Sequence, residues 1–180
     1  MPILERFTYT SNEELSNAFV NLLASASSTD TINTAHPGFI QLIDRLSPDE
    51  AILLKHIKSN PAIPVLSVHH YSNPEKSTES LFVFKNKTGL DVKIQDIKFP
   101  ENINIYLNNL ESLGLIQYSS YYYTRLEKDF ELIEKQYNQL LENHFSKYVE
   151  EKDLKKAKKE SKGMYELTDF GKLFISTCIK

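Results

Sequence analysis

Asn108–Tyr118 reads NNLESLGLIQY, and the parsing of the whole chain turns on it. Ile103, Tyr106, Leu107, Leu110 and Leu113 recur at helical spacing through and ahead of this stretch, so an amphipathic helix opens at Pro100-Glu101 and runs to Leu113. Gly114 closes it, because glycine takes the left-handed capping conformation without a Cβ penalty. The run from Leu115 to Tyr121 follows at once and predicts a strand. Near the C-terminal end, Met164–Cys178 reads MYELTDFGKLFISTC. That is a strand over Tyr165-Glu166-Leu167, a capping Thr168, and a helix from Asp169 to Cys178.

Upstream, Ser47-Pro48-Asp49-Glu50 combines an N-cap serine, proline at the first helical position and a glutamate three residues after the cap. Ala51, Leu53, Leu54 and Ile57 carry that helix to about Lys58, and Asn60-Pro61 ends it. Ser11 and Glu14 form a second capping box, followed by Leu15, Ala18, Phe19, Leu22 and Leu23 on one helical face. Ser25 to Thr34 reads as loop, and Pro37 starts a helix with Phe39, Ile40, Ile43 and Leu46 inward. Pro64 to Val68 is β-like, Tyr71 to Ser80 polar and turn-rich, and Leu81 to Phe84 suits a buried strand. Lys87-Thr88-Gly89 is a turn, and Val92, Ile94 and Ile97 suggest a partly exposed strand. A long helix is expected from Leu126 to Val149, with Leu126, Phe130, Ile133, Tyr137, Leu140 and His144 in steps of four and three. Glu151 to Lys162 continues it as charged helix until Gly163.

Helix, strand, insertion, strand, helix is the order in which winged helices are written. The expected fold is therefore α+β and mostly helical. Residues 1–46 would be N-terminal helices packed on a winged-helix-like core over 47–180, with a helical insertion at 124–162 in the wing position. The chain's 180 residues suit one domain, or one with a helical appendage, and 41% hydrophobic content is enough to fold. Pro2-Ile3-Leu4 runs almost directly into a helix, which suggests a fragment or short version of a longer protein. No signal-peptide pattern and no stretch of roughly 20 apolar residues is read, so a cytoplasmic, membrane-free protein is expected.

The residues point away from catalysis. His69-His70 on a strand face opposite ways and cannot chelate one ion together. His36, His56 and His144 have no second ligand at a spacing typical of zinc sites, so no metal is expected. The 5 glycines form no phosphate-cradling loop, and no G-x-S-x-G elbow is present. The single cysteine, Cys178, sits on an apolar helix face as a structural thiol. Helix capping accounts for Glu13-Glu14 and Asp49-Glu50. No enzyme, cofactor or small-molecule site is expected.

Nucleic acid is weighed through charge. Net charge is −3, so no global field draws a polyanion. The helix that would enter a DNA groove, Glu101 to Leu113, has neither Lys nor Arg, and none occurs between Lys98 and Arg125. Its polar residues are Asn102, Asn104, Asn108, Asn109, Glu111 and Ser112. Asparagine can read adenine, but affinity for DNA comes largely from counterion release by cations. The one basic cluster is Lys152, Lys155, Lys156, Lys158, Lys159 and Lys162. Interleaved acids make a solvated face its simpler reading, and Lys155, Lys156, Lys158 and Lys159 are the candidate nucleic-acid contacts if it is more than that. Tyr118, Tyr121, Tyr122 and Tyr123 are the candidate protein interface, since tyrosine joins an apolar body to a polar tip.

Three segments carry a family resemblance. They are Leu15 through Phe19-Val20-Asn21-Leu22-Leu23-Ala24, then His36-Pro37-Gly38-Phe39, then Leu46-Ser47-Pro48-Asp49-Glu50-Ala51, with Leu110 to Ile116 later. In this order they resemble the abortive-infection alpha family of bacterial domains, from about Glu13 to Ile179. The resemblance implies a link to abortive infection, in which an infected cell dies or stops growing before phage spreads. It implies no catalytic residue. The expected function is a non-catalytic interaction domain that binds a protein partner or a second copy of itself. The alternative is a winged-helix DNA-binding regulator that uses the Lys152–Lys162 segment.

Overall fold

The computed structural model describes residues 12–71, 80–150 and 153–179, leaving aside the side chains of Leu154 and Lys155. In order, the elements are α1 (Glu13–Ser27), α2 (Phe39–Asp44), α3 (Pro48–Ser59), β1 (Ala62–Tyr71), β2 (Ser80–Lys87), α4 (Leu90–Lys93), α5 (Ile103–Ser112), β3 (Ile116–Ser119), α6 (Glu127–Gln136), α7 (Asn138–Tyr148), α8 (Leu154–Ala157), β4 (Lys158–Leu167) and α9 (Asp169–Cys178). Single 3-10 turns precede α2, α5 and α6. The fold class is α+β. The strands form one sheet in the order β2-β1-β4-β3, with β1 and β2 antiparallel. The chain divides into a helical unit (Met1–Ala62, Asp91–Gln117, Glu166–Lys180) and a second unit (Ile63–Leu90, Tyr118–Tyr165).

In the helical unit, α9 packs on α1 and α3, and α3 packs on α5. Phe19, Phe39, Phe174, Leu53, Leu54, Leu107 and Leu110 fill its core. Ser47 caps α3 as the sequence predicts: its side chain accepts Glu50 N–H, and Glu50 returns by accepting Ser47 N–H at 2.6 Å. Asn12 caps α1 by accepting Leu15 N–H, and the expected capping residue, Ser11, lies outside the described residues. Gly114 has φ 71°, the left-handed cap expected of it. Thr168 caps α9 through Gly171 N–H and donates to the Gly114 carbonyl at 2.6 Å, so the turn after α5 and the start of α9 are locked together. Gly171 sits so close to this turn that an added Cβ would collide with the Leu115 carbonyl.

In the second unit, β1 contributes buried Val65, Leu66 and Val68, and Phe84 of β2 stacks at 5.1 Å on Tyr137. Asn86 holds φ 51°, and its N–H bonds Ser67 Oγ where the β1–β2 register slips. Several expectations are corrected here. The long helix breaks at Tyr137, whose φ of −101° and ψ of 11° interrupt it. The break moves the buried stripe by one residue: Leu126, Phe130 and Ile133 are buried before it, but after it Leu141 and Phe145 are buried and Leu140 is exposed. The charged segment is not helix up to Gly163. After one turn, α8, it becomes β4 at Lys158, and Gly163 lies inside that strand.

Smaller corrections concern exposure and type. Leu81 and Phe82 of β2 are exposed at 64% and 50%, so only Phe84 of that run is buried. The region of Val92, expected as strand, holds the short helix α4. The turn-rich stretch after Tyr71 lies outside the described residues. None of the described helices is long and apolar enough to cross a membrane.

Candidate functional site

Helix α5 is the element from which a function is best argued. Its inner face is buried through Ile103, Tyr106, Leu107 and Leu110. Tyr106 donates its hydroxyl to Asp49 Oδ2 at 2.8 Å, and Asp49 also accepts Lys98 N–H and Phe99 N–H at 3.0 Å each. Burial alone pushes the Asp49 carboxyl up, but these three donors and the Lys98 charge outweigh it and hold it below its usual value. The Tyr106 hydroxyl is pushed up, first by burial and then by its bond to Asp49. Glu50 accepts the Asn109 amide at 2.8 Å. The Asp49-Glu50 pair is thus spent on seating α5 and the 97–99 loop.

The outer face corrects the expected asparagine-rich surface. Asn109 is turned inward to Glu50 and the Arg45 carbonyl, and Asn102 and Asn104 are half-buried. Glu101, Ile105, Asn108 and Ser112 fall four, three and four residues apart and form one exposed stripe. Ile105 is 63% exposed, and the stripe holds an acid and no cation. A stripe of one apolar residue, an acid, an amide and a hydroxyl, with no cation, offers little to a phosphate backbone.

In the second unit the tyrosines separate. Tyr121 is 84% exposed, and Tyr118 and Tyr123 about half exposed. Tyr118 meets Tyr165 edge-on at 5.6 Å, and Arg125 lies over the Tyr123 ring. Tyr122 instead packs edge-on against Phe130 and donates to Glu127 Oε1 at 2.8 Å, so it belongs to the local packing.

The lysines separate too. Lys158 is paired with Glu134 and, at 3.3 Å, with Glu160. Burial would lower its pKa, but the carboxylates raise it on balance. Lys162 bonds Glu127 at 2.9 Å, which raises its pKa, and lies over the Phe130 ring. Lys159 sits 4.7 Å over Tyr71, and Lys156 is exposed. Lys152 and the Lys155 side chain lie outside the described residues. Of this segment, Lys158 and Lys162 have their charge answered by carboxylates in the same unit.

One constellation was missed by sequence reasoning. His70 Nδ1 lies 3.0 Å from His144 Nε2, with Phe145 and Tyr148 against the pair. Burial, then the neighbouring His70, lowers the His144 pKa. The two residues are 74 apart in sequence, and only the placement of α7 beside β1 brings them together. His69 points the other way, onto Phe82 at 4.3 Å, as the strand alternation requires. His36 accepts Gly38 N–H through Nδ1 and packs on Phe39 and Phe170, which gives the H-P-x-F segment a structural role. Cys178 is 1% exposed, and burial pushes its thiol up to about 12.

The family model for abortive infection alpha matches residues 1–178. The chain belongs to the abortive infection alpha family. That membership connects it to abortive infection. Comparison with curated proteins finds no match. Among solved structures, the chain is similar to an uncharacterized protein from the hydrocarbon-degrading marine bacterium Alcanivorax borkumensis SK2, at 17% identity and a TM-score of 0.46 over 86% of this chain and 99% of that one.

Proposed function

We propose that this abortive infection alpha protein is a non-catalytic interaction module of phage defence, which binds a protein partner or a second copy of itself. The observation that carries the reading is the outer stripe of α5, where Ile105 stands 63% exposed among neutral and acidic residues. Isolated exposed apolar residues are common, but this one sits on a helix whose inner face is fixed by Asp49 and Glu50. The stripe is therefore held rigid, and rigidity lowers the entropic cost of binding. Exposed Tyr118, Tyr121 and Tyr123 offer a further contact of the same chemistry on the second unit. The reading places its action in the cytoplasm, where phage replication is sensed.

The frame is proposed to be winged-helix-like. Helices α3 and α5 would be its helical pair, and β3 and β4, neighbours in the sheet, would be its wing strands. The insertion expected at 124–162, of which 158–162 belong to β4, would then take the place of the wing loop. Used against a protein instead of DNA, such a frame needs no basic groove. Pairing of Lys158 with Glu134 and of Lys162 with Glu127 supports this preference over the DNA-binding alternative.

Size-exclusion chromatography with light scattering, together with capture from phage-infected cells, tests the proposal. The expected result is a dimer or a specific captured protein, lost on Ile105→Asp. A monomer that captures nothing in infected cells would overturn it.

A further inference from the structure

The His70–His144 pair has no part in the interaction reading. His70 is on β1 and His144 on α7, both within the second unit. His70 is 9% exposed and His144 half-buried. Their rings stand at 81°, with Nδ1 and Nε2 3.0 Å apart. We propose that His70 and His144 together bind one divalent first-row transition-metal ion.

The distance fits such an ion. Metal–imidazole bonds run about 2.0–2.1 Å, so two of them meeting at roughly 90–109° set their nitrogens about 2.9–3.4 Å apart. A direct N–H···N hydrogen bond has a similar span, so the pair as it stands is held by one imidazole proton. Binding the ion moves that proton to the other ring nitrogen of the donor imidazole. Both facing nitrogens then present lone pairs, and both rings stay neutral. Rotation of each imidazole about its side-chain bonds turns the lone pairs from facing to converging.

The donor chemistry selects the ion. Imidazole without carboxylate suits copper, nickel and zinc, whereas calcium and magnesium want oxygen ligands. No group of three or more His, Cys, Asp and Glu that could hold a metal occurs among the described residues, so water completes the coordination and affinity is modest. Tyr148 and Phe145 pack against the pair: the Tyr148 ring lies 5.0 Å from that of His144, and the Phe145 ring 5.6 Å from that of His70. They limit how far the rings can swing apart, which preorganises the chelate.

The test is titration of the whole chain with copper(II), nickel(II) and zinc(II) chlorides near neutral pH, by calorimetry and, for copper, by electron paramagnetic resonance. One equivalent should bind, with superhyperfine coupling from two nitrogens. His144→Ala and His70→Gln should each weaken binding by at least about tenfold, while His36→Ala and His56→Ala leave it unchanged. His144 is half-buried on a helix, so its variant keeps the test alive if His70→Gln fails to fold; circular dichroism checks both. No bound equivalent, coupling from fewer than two nitrogens, or affinity that survives His144→Ala would overturn the proposal.

Discussion

Asp49 and Tyr106 are joined by a 2.8 Å hydrogen bond inside the helical unit, and the same carboxylate accepts the N–H groups of Lys98 and Phe99. One side chain from the first turn of α3 therefore fixes both α5 and the loop that leads into it. Replacing Asp49 with Ala leaves three donors without their acceptor. The expected cost is about 2–4 kcal/mol, because hydrogen bonds to charged groups are stronger than neutral ones and the buried Tyr106 hydroxyl keeps its desolvation penalty. Tyr106→Phe should cost less, about 1–2 kcal/mol, since it removes one donor and leaves Asp49 two. Urea denaturation of both variants measures this.

The same carboxylate gives a pH dependence. Its folded pKa lies below its unfolded value, so the folded state binds fewer protons and stability rises with pH. The contribution is complete above the usual carboxylate range near pH 4 and is lost as pH falls through the depressed folded value. Wild type should lose stability on acidification more steeply than Asp49→Ala across that window. Parallel acid titrations of the two proteins would disagree with this if their curves had equal slopes.

Gly171 is predicted to be intolerant of any side chain. A Cβ there meets the Leu115 carbonyl, a backbone group that accepts both the Thr168 N–H and its hydroxyl and is unable to step aside. Gly171→Ala should lower stability by about 1–3 kcal/mol through overpacking, despite the better helix propensity of alanine. Thermal denaturation followed by circular dichroism reads the effect, and an unchanged or raised midpoint would show that α9 is not seated as described.

Much of the helical unit could be read in the sequence because its signals are local. Ser47 and Glu50 close their box within four residues, and Gly114 and Thr168 act within their own turns. The second unit was harder for physical reasons. Lys158 to Lys162 has the lysine-rich, acid-interleaved composition of an exposed helix, and only pairing between β1 and β3 makes it a strand. Tyr137 carries no breaker signal; its ring is drawn onto Phe84 of β2. At the candidate site, the missing cations of α5 were visible in the sequence. The inward turn of Asn109 to Glu50 was not, since it depends on where α3 lies. His144 likewise found a partner that no spacing rule within one segment could supply.

Nucleic acid binding is predicted to be absent. With Lys158 and Lys162 paired to Glu134 and Glu127, Lys156→Glu together with Lys159→Glu should leave an electrophoretic mobility assay at low salt unchanged. A wild-type shift that these substitutions abolish would favour the DNA-binding alternative.

Site-specific photocrosslinking from Asn108 in phage-infected cells tests the central claim most directly. Asn108 lies in the exposed stripe beside Ile105, and Gln41, exposed on α2, serves as the control position. The account predicts a crosslink from Asn108 to one protein species, a partner or a second copy of this chain, well above the Gln41 background. A crosslink to DNA or RNA, or no product above that background, would contradict it.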